Sequence, residues 1–155
     1  MKIELRVIGV PKPGGSKKGF VNPKSGRVII VDDCKQNKNW RSDVKKACES
    51  YTGPPLDGPI RLTVEFLMPR PKSHYGTGKR AGELKPTAPV WHTTAPDATK
   101  LLRSTEDAIT DSGLWADDSR VCIQKVYKRY AVGDERPGAN ITITSEEVQS
   151  VAPAE

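Results

Sequence analysis

Between residues 60 and 68 the chain alternates almost without interruption: Ile60, Leu62, Val64, Phe66 and Met68 are apolar, with Arg61, Thr63 and Glu65 set between them. A period of two puts every second side chain on one face of an extended strand, so this run demands a sheet with a buried face. That demand forces the rest of the chain to supply partner strands and a covering layer. Ile3, Leu5 and Val7 alternate with Lys2, Glu4 and Arg6 and predict a strand over 2–10. Val28–Val31 predicts a short strand, and Val121–Tyr130 and Asn140–Thr144 predict two more, joined through Gly133–Gly138. The covering layer is visible as a change of period. Trp40, Val44, Ala47, Cys48 and Tyr51 recur at helical spacing from Lys38 to Tyr51, and Gly53-Pro54-Pro55 stops them. Pro96-Asp97 opens a second helix with Leu101, Leu102, Ala108 and Ile109 as its stripe, running to Thr110 or Asp111 before Ser112-Gly113. The expected fold class is α+β: a single small domain over 1–144, with one mixed sheet, about two helices and a polar tail at 145–155.

Two segments have no period. Pro11–Gly19 is rich in breakers and carries Lys12, Lys17 and Lys18, a basic loop suited to phosphate contact. Its spacing is not the GxxxxGK[ST] of a nucleotide-binding loop. Residues 69–96 hold five prolines, three glycines and both histidines. Loops this long inside one domain are commonly functional. The segment reads as a mobile basic arm in which Arg70, Lys72, Lys79, Arg80 and Lys85 meet phosphates, and His74, Tyr75 or Trp91 stacks on an exposed base.

Composition narrows the classes. No apolar run approaches the length of a membrane span, and the N-terminus lacks the apolar core of a signal peptide. Three cysteines, Cys34, Cys48 and Cys122, with no CxxC pair, fit reduced thiols in a cytoplasmic protein better than disulfides or zinc. The net charge of +6 conceals an asymmetry: residues 1–96 carry 18 Lys and Arg against 8 Asp and Glu, and residues 97–155 carry 7 against 11. The basic part suggests a polyanion partner. Asp97, Glu106, Asp107, Asp111, Asp117 and Asp118 crowd the acidic part. Carboxylates held near a phosphate backbone repel it unless a cation lies between, the arrangement that metal-dependent phosphodiester chemistry requires. Taken singly these residues have ordinary readings: Asp97 as a helix cap, Arg103 with Asp107 as a helical ion pair, Asp117-Asp118 as a turn.

Taken together they form a pattern. Pro96-Asp97-Ala98-Thr99-Lys100-Leu101-Leu102-Arg103, then Asp107-Ala108-Ile109-Thr110, then Gly113-Leu114-Trp115-Ala116-Asp117-Asp118-Ser119-Arg120-Val121 resembles the core of the RusA-type Holliday junction resolvases, roughly PDxDNLxK…DAL…G…WxDDxQV. Gly9–Lys17 followed by Trp40-Arg41 is similar to the phage and prophage branch of that family. The resemblance implies a homodimeric endonuclease of the bacterial cytoplasm that nicks branched DNA symmetrically. It implies Mg²⁺, with Mn²⁺ as a substitute, and neither an organic cofactor nor a membrane. The catalytic positions fall on Asp97, Asp118, Arg103 and Thr99. Asp97 and Asp118, with Asp117 beside them, would hold the metal. Lys12, Lys17, Lys18, Arg70, Lys72, Lys79, Arg80 and Lys85 are the expected DNA contacts.

Thr99 departs from the pattern, because it stands where the family has its second aspartate. A hydroxyl brings no charge to a divalent cation, so the rival reading is a junction-binding relative with impaired cleavage. Arg103 replaces a lysine and keeps its charge. An unrelated RNA-binding module would show aromatic RNP-type motifs, and the sequence has none. A helix from Ala98 to Thr110 would be about 20 Å long. Asp97 and Asp118 then meet either because residues 113–118 run back along it or because a two-fold mate supplies one of them.

Overall fold

Ile60–Met68 forms β4, an inner strand of a four-stranded sheet. The computed structural model describes residues 1–14, 17–32 and 37–152. In chain order the elements are β1 (Lys2–Ile8), β2 (Lys17–Val21), β3 (Val28–Asp32), α1 (Asn37–Cys48), β4, α2 (Ala98–Ser112), β5 (Val121–Tyr130) and β6 (Gly138–Ser145). The sheet order is β1-β6-β4-β5. β6 is antiparallel to both neighbours, while β4 and β5 are parallel, so the sheet is mixed and the fold is α+β as expected.

The alternation seen in the sequence becomes rows across the sheet. Leu5 pairs with Ile141, Ile141 with Val64, and Val64 with Val126, one row crossing all four strands. The first three are buried, and α1 and α2 cover that face with Trp40, Val44, Leu101 and Ile109, none more than 1% exposed. Each such side chain contributes roughly 1.5–3 kcal/mol through burial. The helix contact also contains buried polar groups. Thr105 Oγ1 donates to the Leu101 carbonyl (2.8 Å) and accepts from Trp40 Nε1 (3.1 Å), which satisfies the indole inside the core.

Three expectations need correction. The basic loop ends early: residues 11–14 are irregular, Gly15 and Ser16 lie outside the described residues, and Lys17–Gly19 belong to β2. β2 pairs antiparallel with β3 as a separate two-stranded sheet, so the predicted short strand never joins the main one. α1 stops at Cys48, before Tyr51, because Glu49, Ser50 and Tyr51 donate to Lys46, Ala47 and Cys48, three residues back, and wind the end into a tighter turn. Cys34 lies outside the described residues.

Residues 69–96 form two 3₁₀ turns, at Lys72–His74 and Gly78–Arg80, and then an extended stretch along the C-terminal half of β5. Tyr130 N donates to the Val90 carbonyl (3.0 Å), and His92 N donates to the Lys128 carbonyl (3.1 Å). Tyr130 lies inside a cluster of cation and imidazoles: Arg70 stands 4.9 Å from its ring centroid, and His74 and His92 approach it edge-on at 4.9 and 4.8 Å. The sequence shows no period here because the segment is held by backbone carbonyls and one aromatic ring.

Candidate active site

Asp97 is the residue before α2, but its carboxylate caps nothing. The side chain is 68% exposed and its nearest cation is Lys100, at 3.8 Å. A cap residue normally satisfies the orphan amides of the first turn. An aspartate in this place that leaves them alone is available for a ligand. The strap leading into it is tied down from below: Lys128 Nζ, reaching from β5, donates to the carbonyls of Thr94 and Pro96, both at 2.7 Å. Pro96 follows a cis Ala95–Pro96 peptide.

Thr99 and Arg103 are exposed and one helical turn apart, so they share a face of α2. The N-terminal loop docks against the same region. Gly14 N donates to the Lys100 carbonyl (2.9 Å), Ser104 Oγ donates to the Lys12 carbonyl (2.6 Å), and a Cβ on Gly14 would stand 3.4 Å from Ser104 N. The loop therefore brings Lys12 beside the helix that carries Arg103.

At the other end, Gly113 closes α2 in the left-handed conformation (φ 78°), and the chain turns into a short 3₁₀ segment at Asp118–Arg120. The two adjacent aspartates differ. Asp117 accepts from the Ser119 amide (2.8 Å), and its interactions with the Ser119 side chain and amide hold its carboxyl below the usual range. Asp118 is exposed. Burial pushes the Glu106 carboxyl up, Gln124 donates to it from β5 in partial relief, and the charges of Asp118 and Asp107 push it further up.

Helix geometry fixes the separation of the two ends. Glu106 lies nine residues beyond Asp97, about 13 Å along the axis. Gln124 of β5 meets Glu106 and Lys128 meets the start of α2, so β5 runs antiparallel to the helix and Asp118, just before β5, lies toward the end of α2 away from Asp97. Among the described residues, no group of three His, Cys, Asp or Glu converges on a point. Exposed carboxylate oxygens are the right kind of donor for a hard divalent cation.

The expected DNA contacts divide. Lys72, Lys79, Arg80 and Lys85 are exposed. Arg70 is turned inward, donating from Nε to the Ala131 carbonyl (2.9 Å) and from Nη1 to the Pro89 carbonyl (2.8 Å). The placement of the Lys17 and Lys18 side chains lies outside what is described. Reading the sequence missed Lys128 and Gln124, and showed Glu106 only as one of the crowded carboxylates. Their only signal would have been the register of β5 against α2, which no local pattern carries.

No helix among the described residues is long and apolar enough to cross a membrane. No curated protein matches the chain. The family profile described as endodeoxyribonuclease RusA matches residues 11–144. That match begins at the loop carrying Lys12 and runs into β6, taking in both ends of α2, and the chain belongs to the RusA endodeoxyribonuclease family of metal-dependent, junction-cleaving hydrolases.

Proposed function

We propose that this protein is a structure-selective DNA endonuclease that resolves four-way junctions as a homodimer, each active site being completed across the two-fold axis. The observation that carries the reading is the position of the exposed aspartates: Asp97, uncapped, begins α2, and Asp118 precedes β5, whose Gln124-to-Lys128 run along the helix puts that start toward its far end. A mate with its α2 antiparallel would bring Asp97 of one chain to Asp118 of the other, twice over, giving two equivalent sites and paired symmetric nicks. Asp97 and Asp118, with Asp117 adjacent, would hold Mg²⁺ or Mn²⁺. When bound, the ion supplies charge neutralisation and a more acidic water. Arg103 meets the non-bridging oxygens of the scissile phosphate as charge builds on them. Lys12, Lys17, Lys18, Lys72, Lys79, Arg80 and Lys85 set the backbone of the arms in register without reading sequence. The setting we infer is the bacterial cytoplasm, with the gene of phage or prophage type.

One observation favours a second reading. Thr99 is exposed beside Arg103 and offers a neutral hydroxyl where a carboxylate would serve the cation. On that reading the protein binds junctions and cuts them poorly.

The test is cleavage of a synthetic four-way junction with and without Mg²⁺, against linear duplex, for wild type, Asp97→Asn, Asp118→Asn and Thr99→Asp. Magnesium-dependent paired nicks, lost in both asparagine variants, are expected. Mixing the two inactive variants should restore single nicks, because a mixed dimer holds one site with both aspartates intact. No recovery on mixing would refute the shared site. Activity confined to Thr99→Asp would make the natural protein a binder.

A further inference from the structure

The chain has three tryptophans, and they live in different environments. Trp40 and Trp115 are 0% and 1% exposed, with their indole nitrogens bonded to Thr105 and Thr110. Trp91 is 55% exposed. It is nevertheless not on a loose loop. Its neighbours Val90 and His92 are hydrogen-bonded to β5, it bridges to Arg129, and the Pro89 carbonyl just before it is held by Arg70. An indole fixed on such a backbone is a plate that loses little freedom when something stacks on it.

Building on the reading of branched DNA as substrate, we propose that Trp91 is a stacking site for a base left unstacked on one face at the branch point. The charge around the plate names the class of partner. On β5 and its flanks Arg120 is paired with Asp57, Arg129 with Glu65 and Glu135, and Lys128 faces the Thr94 and Pro96 carbonyls, which leaves Lys125 as the free cation there among the described residues. Lys72, Lys79, Arg80 and Lys85 add to this, against Glu83 alone. Among the described residues, Lys72, Lys79, Arg80, Lys85 and Lys125 make no salt bridge. Strand alternation puts Lys125 and Tyr127, which is 42% exposed, on the face that Arg129 shares with Trp91. A basic field beside exposed aromatic rings suits a polyanion that carries flat apolar bases. It opposes a second copy of the same edge, where lysine would face lysine.

The plate also discriminates by shape. A base inside duplex DNA already has neighbours on both faces, whereas a base at a strand crossover or in a single strand offers one face open. Trp91 lies six residues from Asp97, at most about 20 Å of extended chain. That is no more than about six base-pair steps of 3.4 Å from the scissile phosphate. The contact would favour branched over linear DNA at a point well separated from the chemistry.

The experiment follows intrinsic tryptophan fluorescence as a four-way junction is added without Mg²⁺, with linear duplex in parallel, and measures affinity by gel shift for wild type, Trp91→Phe and Trp91→Ala. Because the other two indoles are buried, quenching by the junction should come from Trp91 and disappear in Trp91→Phe, which keeps most of the affinity. Trp91→Ala should bind the junction on the order of tenfold more weakly and bind duplex unchanged. Junction binding by wild type without quenching, or equal affinity in Trp91→Ala, overturns the proposal. Fluorescence that shifts with protein concentration in the absence of DNA, together with a monomeric Trp91→Ala in sedimentation, assigns the plate to a second copy and also overturns it. Quenching by a junction that is never cut on adding Mg²⁺ supports the plate and removes the nuclease reading. A wild-type protein that does not bind junctions overturns both.

Discussion

Lys128→Met removes an ammonium and keeps the length of the side chain. The lysine holds the Thr94 and Pro96 carbonyls, each at 2.7 Å, with the Thr94 side of the contact exposed and the Pro96 side partly buried. A hydrogen bond involving a charged group contributes about 1.5–3 kcal/mol when shielded, and an exposed one far less. The pair together is therefore worth about 2 kcal/mol. For a domain of this size that corresponds to a fall in Tm of roughly 4–8 °C. The functional effect should exceed the effect on stability. Pro96 immediately precedes Asp97, and a displacement of about 1 Å at a reacting group can lower turnover on the order of a hundredfold. The expected result is a large loss of junction cleavage rate with junction affinity and its salt dependence little changed, since this ammonium faces carbonyls and not phosphates. A spectroscopic check accompanies it. Burial first, and the Lys128 charge second, hold the His92 imidazole below its usual pKa. Removing the charge should therefore raise the His92 pKa, read by NMR titration. If Tm falls as expected while cleavage is unchanged, Lys128 only fastens the strap and the positioning argument is wrong.

Thr105→Val leaves Trp40 Nε1 as a buried donor without a partner and should cost about 1–3 kcal/mol in urea unfolding, more than Thr110→Val costs on a partly buried pair. Gly138→Ala places a Cβ 1.9 Å from the Val7 carbonyl oxygen, so the β1–β6 ladder must shift; a loss of about 3 kcal/mol is expected, and an unchanged Tm would show that the strand ends part freely. Glu135 has its carboxyl drawn down to about 2, chiefly by the hydrogen bond from Arg129, and Glu65 is lowered by the same guanidinium. A depressed carboxyl contributes stability above its unfolded pKa of 4.5 that is lost as pH falls toward 2. With Glu135 36% exposed at its side chain, its share is discounted to about 1–2 kcal/mol, and Glu135→Gln should flatten acid unfolding over that window.

The sheet and both covering helices were legible because each had one buried face, and a buried face imposes a period on the residues that make it. Ile60–Met68 and the stripe of α2 are the clearest instances. The acidic positions stood out for a different reason: Asp97, Asp117 and Asp118 have ordinary readings singly, and only the resemblance of the whole 96–121 stretch to a family pattern singled them out. What escaped was whatever depends on the meeting of distant segments. The hairpin of β2 with β3 looked like loop and strand, since five residues ending in Phe20-Val21 carry little alternation. The segment at 69–96 looked unanchored, since its anchors are carbonyl oxygens that every residue possesses. Arg70 read as a phosphate contact because a sequence shows its charge and hides the two carbonyls it faces.

The strand order has a consequence for how the enzyme comes into being. β6 is the last strand in the chain, yet it lies between β1 and β4 and pairs with both. While the chain is being made, the first strand and the strand at its centre have nothing to join them, and the face that α2 must cover is incomplete. The segment bearing Asp97, Arg103 and Asp118 is thus synthesised well before the surface that holds it in place. Domains generally fold as units during synthesis, and pairing between sequence-distant strands is slow. Nascent chains should therefore remain inert toward DNA until residues 138–145 are free to enter the sheet, so the order of the strands delays activity until synthesis of the domain is essentially finished.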